Sequence, residues 1–168
     1  MRFVADVMLA RLARWLRLLG VFVLPPESQD DDAILKQCLK QRAALLTRDA
    51  RFAQKAKGYV PCIRFRSNFL DQQVLEFCES TGFSLSKIRV AGLQPFSRCP
   101  LCNHSLKKAS KLSVQNEVPP RSYRERRSFW RCTHCRKVYW KGSHEKKIRQ
   151  TLKRIKAAAR RSSAHPRA

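Results

Sequence analysis

The chain has 168 residues, with 36 Lys and Arg against 12 Asp and Glu, so its formal charge is +24. Hydrophobic residues make up 43% of it, enough for a buried core in one mid-sized domain followed by a small one. No segment approaches the roughly 18 apolar residues of a membrane span, and an aspartate interrupts the apolar N-terminus, so neither a membrane protein nor a secretory signal is indicated.

The first part of the chain alternates short apolar runs with stretches of helical periodicity. Runs at 3–5, 21–24, 43–46 and 60–65 predict four strands. Apolar spacing predicts helices over 7–19, from the acids at 30–32 through 39, from 52 to 58, and over 70–78. This rhythm predicts an α/β fold, a parallel sheet with helices on both faces. In such sheets functional groups gather at the carboxyl ends of the strands.

Three aspartates fall at that expected edge. Asp6 ends the first strand, Asp31 begins the helix after the second strand, and Asp49 follows the third strand. Carboxylates that converge there would hold Mg²⁺ or Mn²⁺, which prefer oxygen ligands and activate water against a phosphodiester. The alternative is that Asp31 and Asp32 only cap a helix and that Asp49 is a loop residue.

Two Cys-x-x-Cys pairs mark a second module. Their 29-residue separation is longer than usual, but four thiolates in two knuckles predict a tetrahedral structural Zn²⁺ held by Cys99, Cys102, Cys132 and Cys135. A redox role for one pair, or His104 or His134 replacing one cysteine, is the alternative. Cys38, Cys62 and Cys78 fall in apolar stretches and are expected to be small buried hydrophobic residues. Seven cysteines with two such pairs and no secretion signal predict a reducing, intracellular compartment, either cytoplasm or nucleus.

The positive charge is concentrated around these knuckles. Up to Pro95 there are 15 basic and 9 acidic residues, whereas from Phe96 onward there are 21 and 3. Such a surface attracts polyanions, and aromatic residues between the basic ones suit base stacking, so we expect a nucleic-acid partner. The candidate contacts are Arg11, Arg14, Arg48, Arg127 and Lys141. The alternatives are a solvated arginine face on the first helix and aromatics that pack inside the module.

The motifs in their order resemble a known family. The run FVADVMLARLARWLRLLG, then DDAIL, LLTRD, CPLC, CTHC and VYWKGSH, is similar to the Mut-seven C-terminal RNase domain family over about residues 2–150. The resemblance implies a PIN-like nuclease fold fused to a zinc ribbon, with acids at the sheet edge that bind divalent metal and cut RNA. Carried over, the catalytic acids are Asp6, Asp31 and Asp49, and either Asn68 or Asp71 would supply a fourth ligand.

These observations lead to three predicted segments and one function. Residues 1–94 form the PIN-like domain, 95–145 the zinc ribbon, and 146–168 a basic helical or disordered tail. We expect a metal-dependent ribonuclease, endonucleolytic in action, with RNA as its partner and single-stranded DNA as the alternative substrate. The alternative function is a catalytically inactive nucleic-acid-binding or adaptor module. The sequence does not determine the oligomeric state.

Overall fold

A four-stranded parallel sheet forms the centre of the first unit in the computed structural model, which describes residues 1–84, 98–142, 148 and 150–158. The strands are β1 (Arg2–Ala5), β2 (Val23–Leu24), β3 (Ala43–Thr47) and β4 (Cys62–Arg64). Their spatial order is β2-β1-β3-β4, and every neighbouring pair is parallel. The predicted α/β fold with a parallel sheet is therefore confirmed, although β2 and β4 are shorter than their apolar runs.

Four helices follow the strands in the predicted order: α1 (Ala10–Leu18), α2 (Asp31–Gln41), α3 (Ala50–Ala56) and α4 (Leu70–Thr81). A 3₁₀ turn, Val7–Leu9, precedes α1, because the N–H of Leu9 bonds to the carbonyl of Asp6 three residues earlier. Gly82 ends α4 in a left-handed conformation, φ 66°, as expected for a residue after a helix. Among the helices that the structure describes, none is both long and apolar enough to cross a membrane.

Apolar side chains cover both faces of this sheet. Phe3 and Ala5 of β1 face one layer, and Val4 between them faces the other, as the two-residue period of a strand requires. The first layer packs under α1 and α4, and the second packs under α2 and α3. The largest fully buried side chains are Phe65 and Phe77 in the first layer and Phe52 in the second.

The last described segment, residues 148 and 150–158, is helical and returns to the first layer. Leu152 and Ile155 of this segment are fully buried there. Arg154 Nε donates to Asp71 Oδ2 at 2.6 Å, which fixes this helix to α4. The predicted boundaries at 94/95 and 145/146, and the final residues 159–168, lie outside the described residues.

The cysteine module is a three-stranded antiparallel sheet of β5 (Leu106–Ala109), β6 (Phe129–Cys132) and β7 (Val138–Trp140), in the order β5-β6-β7. A 3₁₀ turn, Leu112–Val114, and helix α5 (Pro120–Glu125) lie between β5 and β6. The buried apolar core of this ribbon is Val114, Val118, Phe129 and Val138, with Tyr123 and Trp140 packed against it. So small a core favours a module that depends on a metal for its stability.

Candidate functional site

Asp6 lies directly after β1, at the carboxyl end of the sheet. Its N–H donates to the carbonyl of Leu46 at 2.9 Å, which continues the pairing with β3. Thr47 Oγ1 donates to Asp6 Oδ2 at 2.7 Å and accepts from the N–H of Asp49 at 3.0 Å. Thr47 is fully buried and Asp6 is 7% exposed, so one hydroxyl group fixes the Asp6 carboxylate and the turn that carries Asp49.

Asp49 caps helix α3 with one of its two carboxylate oxygens. Oδ1 accepts from the N–H groups of Arg51 at 2.7 Å and Phe52 at 3.0 Å. The bond from Phe52, and then that from Arg51, hold the pKa of Asp49 below its ordinary value. The capping role considered in the sequence analysis is therefore present. In the described part of the chain, Oδ2 accepts no hydrogen bond.

Asp31 differs from the acids on either side of it. Asp30 caps α2 through the N–H of Ala33 at 2.8 Å, and Asp32 forms an ion pair with Lys55 Nζ at 2.7 Å. The Asp31 carboxylate makes no hydrogen bond and no ion pair within residues 1–84, 98–142, 148 and 150–158. Burial raises its pKa above the ordinary value.

The three acids act on one another electrostatically. After burial, the negative charge of Asp6 contributes most to the raised pKa of Asp31, Lys55 opposes the rise, and Asp49 adds a smaller part. Their carboxylate oxygens do not all lie within 4.8 Å of one another, unlike the ligand atoms of the cysteine cluster described below. Among the described residues, the three aspartates therefore do not form one compact set of metal ligands.

Asp71 and Asn68, the two candidates for a fourth ligand, lie in different surroundings. The carboxylate of Asp71 is engaged by Arg154, with Nε at 2.6 Å from Oδ2 and Nη2 at 3.2 Å from Oδ1. Asn68 is exposed in the loop between β4 and α4. Neither adds to the charge that raises the pKa of Asp31.

The four knuckle cysteines form one cluster, with all sulfurs within 4.8 Å of one another. Cys99 Sγ lies 3.6 Å from Cys135 Sγ, and Cys102 Sγ lies 3.4 Å from Cys132 Sγ. Sulfur ligands at the corners of a tetrahedron around a metal ion stand about 3.8 Å apart when the bonds are about 2.3 Å long. The cluster therefore fits a structural metal ion.

The surroundings of these sulfurs also suit a cation. Although burial opposes it, hydrogen bonds from Tyr139 Oη and from backbone N–H groups lower the pKa of the Cys99 thiol to about 7. Burial raises the pKa of Cys102 and of Cys135, so these thiols resist ionisation by themselves. A bound metal ion deprotonates its thiol ligands and so overcomes the resistance of Cys102 and Cys135 to ionisation.

The two histidines beside the knuckles stack on each other at the surface. Their ring centroids are 4.1 Å apart with an interplanar angle of 18°, and the ligand atoms of Cys102, His104 and His134 also lie within 4.8 Å. Four thiolates already complete a tetrahedral site. The two histidines are therefore near enough to be ligands but are not needed as ligands.

The first knuckle docks on the amino end of the parallel sheet. Arg17, near the end of α1, is 5% exposed and donates to three carbonyls: Nε to Val23 at 2.7 Å, and Nη1 to Pro100 at 2.9 Å and Leu101 at 2.8 Å. The guanidinium of Arg98 lies over the ring of Phe22, with Cζ 5.1 Å from the centroid. The first knuckle thus contacts the opposite end of the sheet from the acids.

The five basic candidates fall into two groups. Arg11 and Arg14 are exposed on α1, and Arg48 lies between Thr47 and Asp49 at the acidic edge. The Nε atom of Arg48 is buried and has no hydrogen-bond partner among the described residues. Arg127 and Lys141 are exposed in the ribbon, next to β6 and β7.

Sequence reasoning missed the parts played by Thr47 and Arg17. The sequence analysis gives no role to Thr47, although a hydroxyl that can accept from the backbone two residues on is a recognisable turn signal. Arg17 follows Arg11 and Arg14 at the same three-residue spacing, which by itself favours one exposed arginine face. Its place four residues after Ala13 and next to Leu16, both on the buried side of α1, was the available sign of burial.

Together these features define an α/β domain with an acidic carboxyl edge, joined to a ribbon that carries a four-cysteine metal site. The sequence profile of the family described as "Mut7-C RNAse domain" matches residues 1–152, and the chain belongs to this family. This membership indicates a nuclease-type function with a nucleic-acid substrate. No match was found among curated proteins or among solved structures.

Proposed function

We propose that the chain is a divalent-metal-dependent ribonuclease of PIN-like type that cuts within RNA, with Asp6, Asp31 and Asp49 as the acids that hold Mg²⁺ or Mn²⁺. The observation that supports this most directly is the state of Asp31. Asp31 makes no hydrogen bond or ion pair in the described chain, and it is partly desolvated. The carboxylates of Asp6, Asp49 and Asp30 add to its negative field, which Lys55 opposes. Perturbed acids at a strand-end edge are candidates for function, and a divalent ion would relieve their repulsion.

Each residue at the edge has a separate task in this proposal. An ion bound there supplies an activated water and stabilises charge on the phosphodiester. Thr47 holds the Asp6 carboxylate in one orientation, and Asp49 keeps Oδ2 available while Oδ1 holds the start of α3. The guanidinium of Arg48, next to Asp49 in the chain, would donate to a phosphate oxygen in this proposal, a strong charge-assisted contact.

The ribbon supports the same activity as a binding module. We propose Zn²⁺ as its ion, because four thiolates in a closed tetrahedral set are typical of structural zinc. Arg127 and Lys141 would bind phosphates there, while Arg11, Arg14 and Arg48 bind those near the acids. RNA is the substrate that the family membership favours. Single-stranded DNA is the alternative, since no described group selects a 2′-hydroxyl.

A cleavage assay tests the proposal. The zinc-loaded protein is incubated with circular RNA, which has no ends, and with linear single-stranded DNA, under a series of Mg²⁺ and Mn²⁺ concentrations. We expect metal-dependent cutting of the circle, and its loss in Asp6→Asn. Asp32→Asn is the matched control, because Asp32 lies on the same helix as Asp31 but is paired with Lys55. Undiminished cleavage by Asp6→Asn would contradict the assignment.

The capping bonds of Asp49 favour a second candidate, a nucleic-acid-binding module without catalysis. Asn is as good an N-cap as Asp, so Asp49→Asn preserves the cap and removes the charge. The ribonuclease proposal expects this variant to remain folded and lose cleavage. The binding-module alternative expects salt-sensitive RNA binding, no metal-dependent turnover, and no effect of this substitution.

A further inference from the structure

Two exposed apolar side chains lie on segments that follow strands at the carboxyl edge of the sheet. Phe69 is 76% exposed and Met8 is 51% exposed. Met8 follows β1 in the 3₁₀ turn, and Phe69 precedes α4 after β4, so both sit where strands of the parallel sheet end. The residues next to them, Leu9 and Leu70, are buried in the same apolar layer. Phe69 and Met8 together are called the edge platform below.

The loop that carries Phe69 is held in place by hydrogen bonds. Glu76 accepts from the N–H of Arg66 at 2.8 Å and from that of Ser67 at 3.1 Å. Ser67 Oγ accepts from the N–H of Phe69 at 3.0 Å, and Gln73 Nε2 donates to the carbonyl of Ser67 at 2.9 Å. The backbone of the loop is therefore fixed while the ring of Phe69 stays in solvent. A preorganised exposed aromatic of this kind loses little entropy when a ligand covers it.

The same loop is tied to the acidic edge. The N–H of Phe65, at the start of the loop, donates to the carbonyl of Thr47 at 2.8 Å. The hydroxyl of Thr47 in turn holds the carboxylate of Asp6. The loop that carries Phe69 is therefore joined through Thr47 to the carboxylate of Asp6.

The charges around the platform select the kind of ligand. Arg64 and Arg66 are exposed on the strand and loop before Phe69, and Arg11 is exposed on the helix after Met8. An aromatic face between cations suits a chain of phosphates with flat apolar groups, which is a single-stranded nucleic acid. Bases in a duplex are already stacked and paired, so their faces are not available to an aromatic side chain.

We propose that Phe69, with Met8 on the same edge of the sheet, is a stacking platform for an unpaired base of the substrate and gives the edge a preference for single strands over duplex. This inference rests on the proposed function, because it assigns the nucleic acid to the same edge. It concerns binding rather than cleavage, so the two can be tested separately.

The experiment measures binding by fluorescence anisotropy in the zinc-loaded Asp6→Asn protein, which is expected to bind without cutting. The probes are a labelled single-stranded oligoribonucleotide and a duplex of the same length. Adding Phe69→Ala should weaken single-strand binding about 5- to 150-fold, the loss of one stacked base, and leave duplex binding unchanged. Phe69→Trp in place of Phe69→Ala should restore single-strand binding. The matched control is Tyr59→Ala, which removes an aromatic that is 66% exposed between α3 and β4, at the amino end of the sheet.

Salt dependence separates stacking from charge. Phe69→Ala should leave the slope of log affinity against log salt unchanged, whereas Arg66→Ala should reduce it by about 0.7, the value for one phosphate contact on a single strand. Equal single-strand affinities of the Asp6→Asn protein with and without Phe69→Ala would overturn the platform. An equal loss of affinity for the duplex would also overturn it, as would an Asp6→Asn protein that binds no nucleic acid. If the unsubstituted chain never cleaves RNA but the Phe69 effect appears, the proposed catalysis fails and the platform stands.

Discussion

The two ends of the parallel sheet differ in how far their charged side chains are compensated by other groups of the protein. At the amino end, Arg17 is almost fully buried, and three carbonyl groups accept its donors. At the carboxyl end, Asp31 has no partner within the described chain, and neighbouring carboxylates raise its pKa further after burial has done so. The first arrangement is satisfied by the protein itself, whereas the second leaves negative charge that a ligand would neutralise.

This difference indicates where stability and function lie. A buried polar group with all its partners fixes one arrangement of the chain, here that of the ribbon on the sheet. Groups with uncompensated charge reduce stability and persist where a function uses them. The amino end therefore joins the two units, and the carboxyl end is where we propose that the chemistry takes place.

Removal of the ribbon's metal should give the largest effect. Structural ions in such modules contribute about 10–16 kcal/mol of binding free energy, which exceeds what the small core of the ribbon supplies. After chelation, or in Cys132→Ser, we expect the amides of β5, β6 and β7 to lose hydrogen-exchange protection. Those of β1 and β3 should keep it, because two apolar layers cover them. Cys78→Ser is the control, since Cys78 lies outside the cluster. A ribbon that stays protected without metal would contradict the expectation.

Arg17→Met should have the next largest effect, because it leaves three carbonyls without their charged donor. A loss of about 2–4 kcal/mol in the free energy of unfolding is expected, measured by urea denaturation of the metal-loaded protein. Arg14→Met, on the exposed side of the same helix, should cost no more than about 0.5 kcal/mol. Equal losses for the two variants would show that the contact between sheet and ribbon contributes nothing.

Asp31→Asn should give the smallest effect, and it should stabilise the folded chain rather than destabilise it. The pKa of Asp31 is raised in the folded chain, so over the window between its ordinary and raised values the folded state binds more protons than the unfolded state. The free energy of unfolding therefore falls as pH rises through that window. Asp31→Asn removes this loss, because asparagine does not titrate. Without added divalent ion, the melting temperature near pH 7 should rise by about 1–2 °C.

Two controls sharpen the Asp31 prediction. The pKa of Asp32 is lowered, first by its hydrogen bond from Lys55, so Asp32→Asn should lower the melting temperature instead. Added Mn²⁺ should stabilise the unsubstituted protein more than Asp31→Asn, because ligand binding stabilises the folded state. A destabilised Asp31→Asn would mean that the carboxylate is only a structural group.

Local sequence patterns predicted most of the fold. The order of strands and helices followed from apolar periodicity, and the cysteine cluster followed from the spacing of its knuckles. The 3₁₀ turn after Asp6 was not predicted, because it depends on one backbone bond from Leu9 within an otherwise helical pattern. The burial of Leu152 and Ile155 against α1 and α4 was also not predicted, since it depends on where the chain returns after the ribbon.

The candidate site shows the same division between local and long-range information. The sequence by itself determined which residues carry chemistry: acids after successive strands, thiols in pairs, and arginines around both. Only the tertiary structure decided their environments, because these depend on residues far apart in the chain. Thr47 reaches Asp6 across β1 and β3, and Arg17 reaches the carbonyl of Leu101. Spacing along the chain reports neither contact, since hydrogen bonding and charge depend on distance in space.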